Sequence, residues 1–322
     1  MNNISLEAIA EKLRNHKRVI LLSHTGPDGD TVGSVTALAC ALESINTEVI
    51  CLCDSDIPER LSFICADRYQ KDCELRGDEL IVSVDVASPS MLGTLCEKFA
   101  PITDIRIDHH GKGTDFGKYS YVESEASAAG EIIFRLLSYM QLLRGNEIVS
   151  ALYAAISSDT GCFRYSNTTA QTHMIGAYLL SMGAPAAEIN EALYDTVSFA
   201  SLEVYPLFLQ NCISLFDGRV NLVTVTNEIK RRHGISDSDL EDLSNLARRT
   251  GSAQLGIVLR QKDGRDTEFK ISMRSRKQIN CSEIAAYFGG GGHLRASGAT
   301  LQADSPEKAQ SLVIEALEKF IR

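Results

Sequence analysis

The sequence predicts an α/β protein: a mostly parallel sheet flanked by helices, then a helical linker and a smaller α/β domain. Short apolar runs alternate with amphipathic stretches, which is the pattern of strands and helices packed in layers. Four of these runs lead into segments rich in Asp and His. The pattern changes near residue 195, after which Asp-Gly turns separate the apolar runs. The four runs occupy residues 19–22, 80–84, 102–107 and 151–156.

The first part of the chain repeats an order of strand and helix. An amphipathic stretch over residues 1–17 predicts a leading helix, and residues 18–23 predict the first strand. Small and apolar residues at 32–42 predict a helix packed closely on the sheet. The other predicted elements are strands at 48–53, at 80–86 and ending at Asp108, and helices at 88–99, 127–143 and 171–182.

The second part predicts hairpins. Asp217-Gly218 and Asp263-Gly264 each lie between apolar runs, where Asp-Gly favours a tight turn between strands. Residues 198–212 predict one connecting helix. We therefore expect a first domain over residues 1–195, a linker helix over 196–212 and a second domain over 213–322. The second domain is predicted to contain strands at 213–216, 220–226, 253–260 and 268–274 and a helix at 237–247.

Composition limits the classes of function. The chain has 322 residues, 44% of them hydrophobic and 23% charged, which is typical of a globular protein. We see no leader or membrane span and expect a cytoplasmic protein without membrane contact. The nine cysteines lack zinc-site spacing, so we expect reduced thiols. A net charge of −10 disfavours a long nucleic-acid groove but not small phosphorylated ligands.

The polar segments that follow the four runs predict a metal site. Ligands of α/β sheets bind beyond the carboxyl ends of the strands, so we expect the segments to share one pocket. Oxygen and imidazole donors without thiolate favour Mn²⁺, with Mg²⁺ or Co²⁺ as alternatives, over structural zinc. Asp85, alone at a strand end, is the candidate to bridge two ions. The chemistry-bearing residues are His24, Asp28, Asp30, Asp85, Asp108, His109, His110 and Asp159.

Each polar segment also has a purely structural interpretation. An Asp-Gly-Asp loop is usually a turn or a helix N-cap, and a single Asp at a strand end is more often a cap than a ligand. The segments together favour the metal site, because they contain three of the seven histidines in the chain.

A run of four glycines at residues 289–292, followed by His293 and Arg295, is the conspicuous feature of the second part. Successive backbone N–H groups there can bind an anion, whereas the structural alternative is a flexible loop. Arg274 and Arg276 lie two apart on a predicted strand and therefore share a face. With Ser275, His293 and Arg295 they form a basic patch suited to phosphate, unless they are only a solvated edge strand.

Two motifs resemble a known family. Asp108-His109-His110, with the upstream spacing His24-x-x-x-Asp28-x-Asp30, is similar to the DHH phosphoesterases. The second part is similar to the DHHA1 domain of their nanoRNase and oligoribonuclease branch. That branch includes phosphatases of 3′-phosphoadenosine 5′-phosphate (pAp). The resemblance implies a DHH catalytic domain followed by a DHHA1 substrate-binding domain.

The resemblance also implies roles for individual residues. His24, Asp28 and Asp85 would hold one ion. Asp30, Asp85, His109 and Asp159 would hold the other. Asp108 would orient a histidine, and His110 would protonate the leaving oxygen. The residues implied to bind the substrate's terminal phosphate or base are Arg274, Ser275, Arg276, Gly290, Gly291, Gly292, His293 and Arg295.

The expected activity is two-metal hydrolysis in a cleft between the domains. The substrates would be short RNA or DNA oligonucleotides, degraded as by an exonuclease to mononucleotides, or the 3′-phosphate of pAp. Two alternatives are a phosphodiesterase of linear dinucleotides from cyclic messengers and a catalytically silent nucleotide sensor. The complete ligand set argues against the sensor. The sequence leaves open whether the chain is a monomer or a homodimer.

Overall fold

The computed structural model describes residues 2–65, 67–111, 113–196, 202, 204–237, 239–240, 243–276, 279–292 and 294–321. The chain divides into two compact units, Met1–Thr196 and Val197–Arg322, each with its own sheet. The predicted α/β class is confirmed. Among the described helices, none combines the length and the apolar character that crossing a bilayer requires.

The first unit is built on a seven-stranded sheet in which every neighbouring pair is parallel, in the order β1-β7-β6-β5-β2-β3-β4. The central strands β2 and β5 are fully buried and mostly apolar, as is typical of parallel strands covered on both faces. The short strands β1, β4 and β7 were not predicted. The strands are β1 (Asn2–Asn3), β2 (Arg18–Leu22), β3 (Glu48–Leu52), β4 (Tyr69–Gln70), β5 (Leu80–Val84), β6 (Ile105–Asp108) and β7 (Tyr119–Val122).

A completely buried helix, α2, forms the centre of the helical layer. Every residue from 29 to 42 is buried, and the helix packs chiefly against α6 and α5. This burial explains its small and apolar composition. The helices of the unit are α1 (Leu6–Asn15), α2 (Gly29–Glu43), α3 (Ser62–Cys65), α4 (Cys96–Phe99), α5 (Ala129–Tyr139), α6 (Asn146–Asp159), α7 (Ala170–Ser181) and α8 (Ala186–Asn190).

Two predictions for this unit were wrong. The run 151–156 was expected to end at a sheet edge like the other three, but it lies inside the 14-residue helix α6. Its alanines favour a helix, and they allow close packing on α2. The helix predicted at 88–99 is broken into the 3₁₀ segment Pro89–Leu95 and α4, because Gly93 adopts a φ of +61°.

The second unit contains a six-stranded sheet in the order β12-β13-β11-β10-β9-β8. β9 and β10 are parallel, and the other neighbours are antiparallel. Both predicted hairpins are present, at Asp217-Gly218 and Asp263-Gly264. The strands are β8 (Cys212–Leu215), β9 (Val220–Val225), β10 (Leu255–Lys262), β11 (Arg265–Ser275), β12 (Gly291–Gly292) and β13 (Ala296–Gln302).

The helices of the second unit cover its sheet. The predicted linker helix is described only from α9 onward, whose Val204, Leu207 and Phe208 pack in one core with residues of β9. Residues 197–201 and 203 lie outside the described chain, as do 238, 241 and 242 of the predicted acidic helix. The described helices are α9 (Val204–Asn211), α10 (Asn227–His233), α11 (Leu243–Arg248), α12 (Cys281–Tyr287) and α13 (Pro306–Leu317).

Candidate active site

Three adjacent strands of the first sheet lead into polar side chains. β2 leads to His24, β5 to Asp85, and β6 ends at Asp108. These strands are neighbours and parallel, so their carboxyl ends meet at one edge. The other acidic groups come from helices: Asp28 and Asp30 from the start of α2, and Asp159 from the end of α6.

Asp85 presents its two carboxylate oxygens to two different histidines. Its Oδ2 lies 3.7 Å from Nε2 of His24, and its Oδ1 lies 3.6 Å from Nε2 of His109. Thr31 Oγ1 donates to Oδ2 at 2.5 Å. The backbone of Asp85 has a φ of +61°, a conformation that Asp tolerates better than most residues. The strand therefore ends sharply and turns this carboxylate toward both histidines.

The two histidines that face Asp85 have the tautomer that a metal ligand needs. Nδ1 of His24 lies 2.9 Å from the carbonyl oxygen of Thr25, and Nδ1 of His109 lies 3.2 Å from that of Ala126. A carbonyl can only accept, so Nδ1 carries the proton and donates. Nε2 is then the nitrogen that faces the carboxylates, which is the usual arrangement for a metal-binding histidine.

Backbone N–H groups hold the acidic side chains of α2 in place. Asp30 is completely buried and accepts hydrogen bonds from the N–H groups of Ala129 (2.6 Å) and Gly130 (2.9 Å), at the start of α5. Asp28 caps α2 by accepting from the N–H groups of Asp30 and Thr31. The capping interpretation of this loop is therefore correct, and it leaves the Asp28 side chain half exposed.

Three clusters of potential ligand atoms result from this arrangement. In each cluster the candidate atoms lie within 4.8 Å of one another. Two of the clusters share Asp85, and two share His109. The three sets are His24 with Asp28 and Asp85, then Asp30 with His109 and Asp159, and Asp85 with His109 and His110.

The third cluster is a weaker candidate, because His110 uses Nδ1 elsewhere. That nitrogen lies 2.7 Å from Oδ1 of Asp108, compared with 3.5 Å from Oδ1 of Asp85. A proton on Nδ1 that is donated to Asp108 prevents the same nitrogen from binding a metal.

The electrostatics of the site attract positive charge. Burial alone would lower the pKa of His24, but the carboxylates of Asp85 and Asp28 outweigh burial and raise it to about 10. The pKa of His109 also rises to about 10, since Asp159, Asp30 and Asp85 outweigh burial. Burial, together with neighbouring carboxylates, raises the pKa of Asp159 to about 7. Without a metal, the site therefore holds protons near neutral pH.

The surroundings of one buried carboxylate oxygen, Oδ1 of Asp85, indicate whether a cation fits the site. Asp85 Oδ1 is inaccessible to solvent and has no hydrogen-bond partner among the described residues. An unsatisfied buried carboxylate oxygen is costly. A divalent ion between Asp85 and its imidazole and carboxylate neighbours would satisfy it, so the residues present fit such an ion.

Arg106 belongs to this site and was not predicted. It lies in the middle of β6, is among the largest completely buried side chains, and forms an ion pair with Asp108. A charged residue inside the apolar run 102–107, two positions before Asp108, was the signal available in the sequence. The two residues share a face of the strand.

The predicted basic patch lies at one end of the second sheet. Arg274 on β11 is paired in register with Ala296 of β13, and Gly291 and Gly292 pair with the same strand. Arg274 and Arg295 are partly exposed there. His293 lies outside the described residues.

Members of the patch donate to backbone carbonyl oxygens. Arg295 Nη1 donates to that of Ile279 at 3.1 Å, and Arg274 Nη1 to that of Met273 at 3.2 Å. Arg276 donates from its guanidinium to the carbonyl oxygens of Arg248, the last residue of α11, and Thr250, two residues further on. Ser275 is buried, and its hydroxyl donates to the carbonyl of Ile279 at 2.7 Å. These hydrogen bonds fix the side chains of Ser275 and Arg276 against the backbone of the second unit.

The glycine run divides into positions with different constraints. A Cβ on Gly290 would lie 2.2 Å from the carbonyl oxygen of Gly298, so a side chain there would push β12 from β13. A Cβ on Gly291 would meet nothing within 4 Å. The exposed backbone at Gly291 is thus open to a ligand.

Comparison with known families agrees with this arrangement. The model of the DHH family, N-terminal domain, matches residues 18–156, and that of the DHHA1 domain matches residues 222–322. The chain belongs to the DHH/DHHA1 family. This confirms the predicted resemblance, and with it the expectation of a hydrolytic enzyme.

Relatives of this family align over most of the chain. A protein of Thermus thermophilus named bifunctional oligoribonuclease and PAP phosphatase NrnA is 29% identical over 304 residues, covering 94% of this chain and 89% of the relative. A protein of the same name from Bacillus subtilis is 24% identical, covering 88% and 89%. The crystal structure of an exopolyphosphatase-related protein from Bacteroides fragilis is 26% identical, with a TM-score of 0.88 over 98% of this chain and 96% of that one.

Proposed function

We propose that this enzyme hydrolyses short oligonucleotides to mononucleotides and removes the 3′-phosphate of pAp. The observation that carries the proposal is the carboxylate of Asp85, whose two oxygens face His24 and His109 separately. A carboxylate shared between two ligand sets is what a two-ion phosphoesterase needs. The names of the Thermus and Bacillus relatives support the choice of substrates.

The proposed ligand sets are those that the family resemblance implies. His24, Asp28 and Asp85 would hold one ion, and Asp30, Asp85, His109 and Asp159 would hold the other. Two of the clusters support these sets: the first matches completely, and the second contains all but Asp85. Mn²⁺ is proposed first, with Mg²⁺ or Co²⁺ as alternatives, because the donors are oxygen and imidazole. Bound ions would supply positive charge to the phosphate and a water activated near neutral pH.

His110 is proposed as the proton donor to the leaving oxygen. Its Nδ1 donates to Asp108, so Nε2 is the nitrogen available for the substrate. Burial would lower the pKa of His110, but the carboxylates of Asp108 and Asp85 raise it overall. The imidazolium form, which can donate a proton, is thereby stabilised relative to a free imidazole.

The second unit is proposed to bind the part of the substrate away from the reacting phosphate. Arg274 and Arg295 would contact phosphate oxygens. Arg276 and Ser275 would hold the patch in position and would also belong to the binding surface. Exposed backbone at Gly291 and Gly292, with His293, would complete the subsite. The N–H of Gly290, which was expected to take part, is instead donated to the carbonyl oxygen of Ala285 at 2.8 Å. A cytoplasmic location is part of this proposal, and the oligomeric state is left open between a monomer and a homodimer.

A turnover panel tests the proposed function. Purified full-length enzyme with Mn²⁺ would be given RNA dinucleotides, RNAs of about five and about 24 nucleotides, pAp and a linear dinucleotide derived from a cyclic messenger. Chelated enzyme serves as the control. We expect the short RNAs and pAp to have the highest kcat/KM. Absence of turnover on every substrate would contradict the proposal and favour the sensor.

A further inference from the structure

A completely buried arginine lies beside the catalytic cluster. Arg106 is in β6 between Ile105 and Ile107, and only 2% of its side chain is exposed. Removing a guanidinium from water costs free energy, and each hydrogen bond or ion pair that it forms in the interior offsets part of that cost. Its contacts therefore indicate what the residue does.

The guanidinium of Arg106 joins three separate segments. Nη2 lies 2.5 Å from Oδ2 of Asp108, and Nε donates to the carbonyl oxygen of Val86 at 3.0 Å. Nη1 lies 3.4 Å from Oδ1 of Asp115, and the group lies over the ring of Phe116. The planar fork is thus fixed by β6 itself, by the residue after Asp85 and by the loop after the histidines.

Asp108 uses its other oxygen for the histidines. Oδ1 accepts from the backbone N–H of His109 at 2.8 Å, from that of His110 at 3.1 Å, and from Nδ1 of His110 at 2.7 Å. Because Arg106 holds Oδ2, rotation of the carboxylate is prevented and Oδ1 stays directed at His110. The orientation of the His110 ring then depends on the arginine through one intermediate residue.

We propose that Arg106 is a positioning residue that fixes the Asp108 carboxylate and, through it, the tautomer and the ring orientation of His110. This inference rests on the proposed role of His110 in proton transfer. A lysine would not be equivalent, because one ammonium on a flexible stem cannot reproduce contacts made in several directions by a planar fork.

Two variants of Arg106 and a matched control test the proposal. Arg106→Lys keeps the charge, and Arg106→Gln removes it. Arg135→Gln is the control, because Arg135 forms a partly buried ion pair with Glu123 in the same unit and has no contact with Asp108 in the described structure. Far-ultraviolet circular dichroism and thermal unfolding establish which variants fold. If Arg106→Gln does not fold, Arg106→Lys carries the test.

The first readout does not need catalysis. In metal-free, ¹⁵N-histidine-labelled protein, the Nδ1 proton of His110 should give a downfield signal, assigned by its loss in His110→Asn. We expect this signal to shift or broaden in both Arg106 variants and to remain unchanged in Arg135→Gln. An unchanged signal in the folded Arg106 variants overturns the inference, whatever the activity.

The second readout separates turnover from binding. Residues that orient an active group typically contribute about 10–100-fold. We expect kcat on a short RNA to fall about 10-fold in Arg106→Lys and about 100-fold in Arg106→Gln, with KM and Mn²⁺ content close to wild type. Wild-type kcat in either folded variant overturns the inference.

A double-mutant cycle tests whether Arg106 acts through Asp108. In an Asp108→Asn background, adding Arg106→Gln should change kcat by less than about twofold, since the Asp108 carboxylate that links Arg106 to His110 is already lost. Additive losses would show an independent role and overturn the inference. A shifted His110 signal in an enzyme whose wild type hydrolyses none of the substrates would instead contradict the proposed function alone.

Discussion

Asp85 concentrates several constraints on one side chain. Its backbone is left-handed, one oxygen accepts from Thr31, and the other is buried without a hydrogen-bond partner in the described structure. Asp85→Asn keeps the size and tolerates the same φ, but removes the negative charge that two ions would share. We expect the variant to fold and to lose activity by several orders of magnitude.

Metal content and turnover measured on the same sample check this expectation. Asp104→Asn is the control, because Asp104 is an acidic residue directly before β6 that accepts from the N–H of Ile81 and lies outside the cluster. Near-wild-type turnover by a folded Asp85→Asn protein would show that Asp85 is not the bridge.

Proton release on metal binding follows from the histidine pKa values. His24 and His109 have pKa values of about 10 without metal, so both are protonated at pH 8. A metal requires neutral Nε2, so binding at pH 8 should release protons from both histidines. Burial and the neighbouring carboxylates also raise the pKa of Asp30, which adds to the release. At pH 6, Asp159, with a pKa of about 7, contributes a further proton. Metal affinity should accordingly rise with pH.

Calorimetry of Mn²⁺ binding in two buffers of different ionisation enthalpy measures this release. His24→Gln should release about one proton fewer at pH 8. The same heat in both buffers would contradict a site that holds protons in place of metal.

Sequence patterns identified the residues with unusual chemistry better than those that support them. His24, Asp85 and Asp159 were recognisable because Asp and His recur after four apolar runs, whereas a single Asp at one strand end would more often be a cap. Arg106 was not recognised, because burial of a charge depends on partners from distant segments. The inward donation of Ser275 to Ile279 was equally invisible, since Ile279 lies beyond the end of the strand.

At the scale of elements, the close approach of α2 and α6 brings acidic groups from two helices together. A Cβ on Gly29 would lie 2.5 Å from Oγ of Ser158, beside Asp159. Overpacking of this kind costs about 1–3 kcal/mol. Gly29→Ala should therefore lower the free energy of unfolding and weaken metal binding, because the helix ends carrying Asp28 and Asp159 are forced apart.

Chemical denaturation and Mn²⁺ titration of the variant measure both effects. Gly251→Ala is the control, since a Cβ there meets nothing within 4 Å and its stability should be close to wild type. Unchanged metal affinity in Gly29→Ala would mean that the site tolerates a displacement of α2.

The elements that the sequence predicted correctly were those with a strong local signal. β2 and β5 are buried and consist mostly of β-branched and other apolar residues, and both hairpins have Asp-Gly turns. The run 151–156 was assigned wrongly because a short buried apolar run has no periodicity that separates strand from helix. Its packing against α2 decides the outcome, and that contact joins residues far apart in the chain.

At the scale of the whole molecule, the ligand cluster belongs to the first unit and the basic patch to the second. A net charge of −10 offers little attraction to a long strand beyond these two groups. We expect RNAs of about two to five nucleotides to have a much higher kcat/KM than long ones. Arg274→Ala should reduce that preference by raising KM for short substrates, with metal content unchanged.

Kinetics across a length series check the preference. Arg231→Ala is the matched control, because it removes the same charge from an exposed position on α10 of the same unit. Equal kcat/KM for short and long RNAs in the wild type would refute the preference for short substrates.

The complete burial of α2 has a consequence for how the site responds to loss of its ions. Asp28 and Asp30 lie at the start of a helix in which every residue from 29 to 42 is shielded from solvent. Amide hydrogens of such a helix exchange with deuterium chiefly when the surrounding core opens. Chelated protein should therefore retain slow exchange along α2, and rapid exchange there would contradict this. The carboxylates of Asp28 and Asp30 would then stay in position in the metal-free enzyme, so rebinding of the ions would require no refolding.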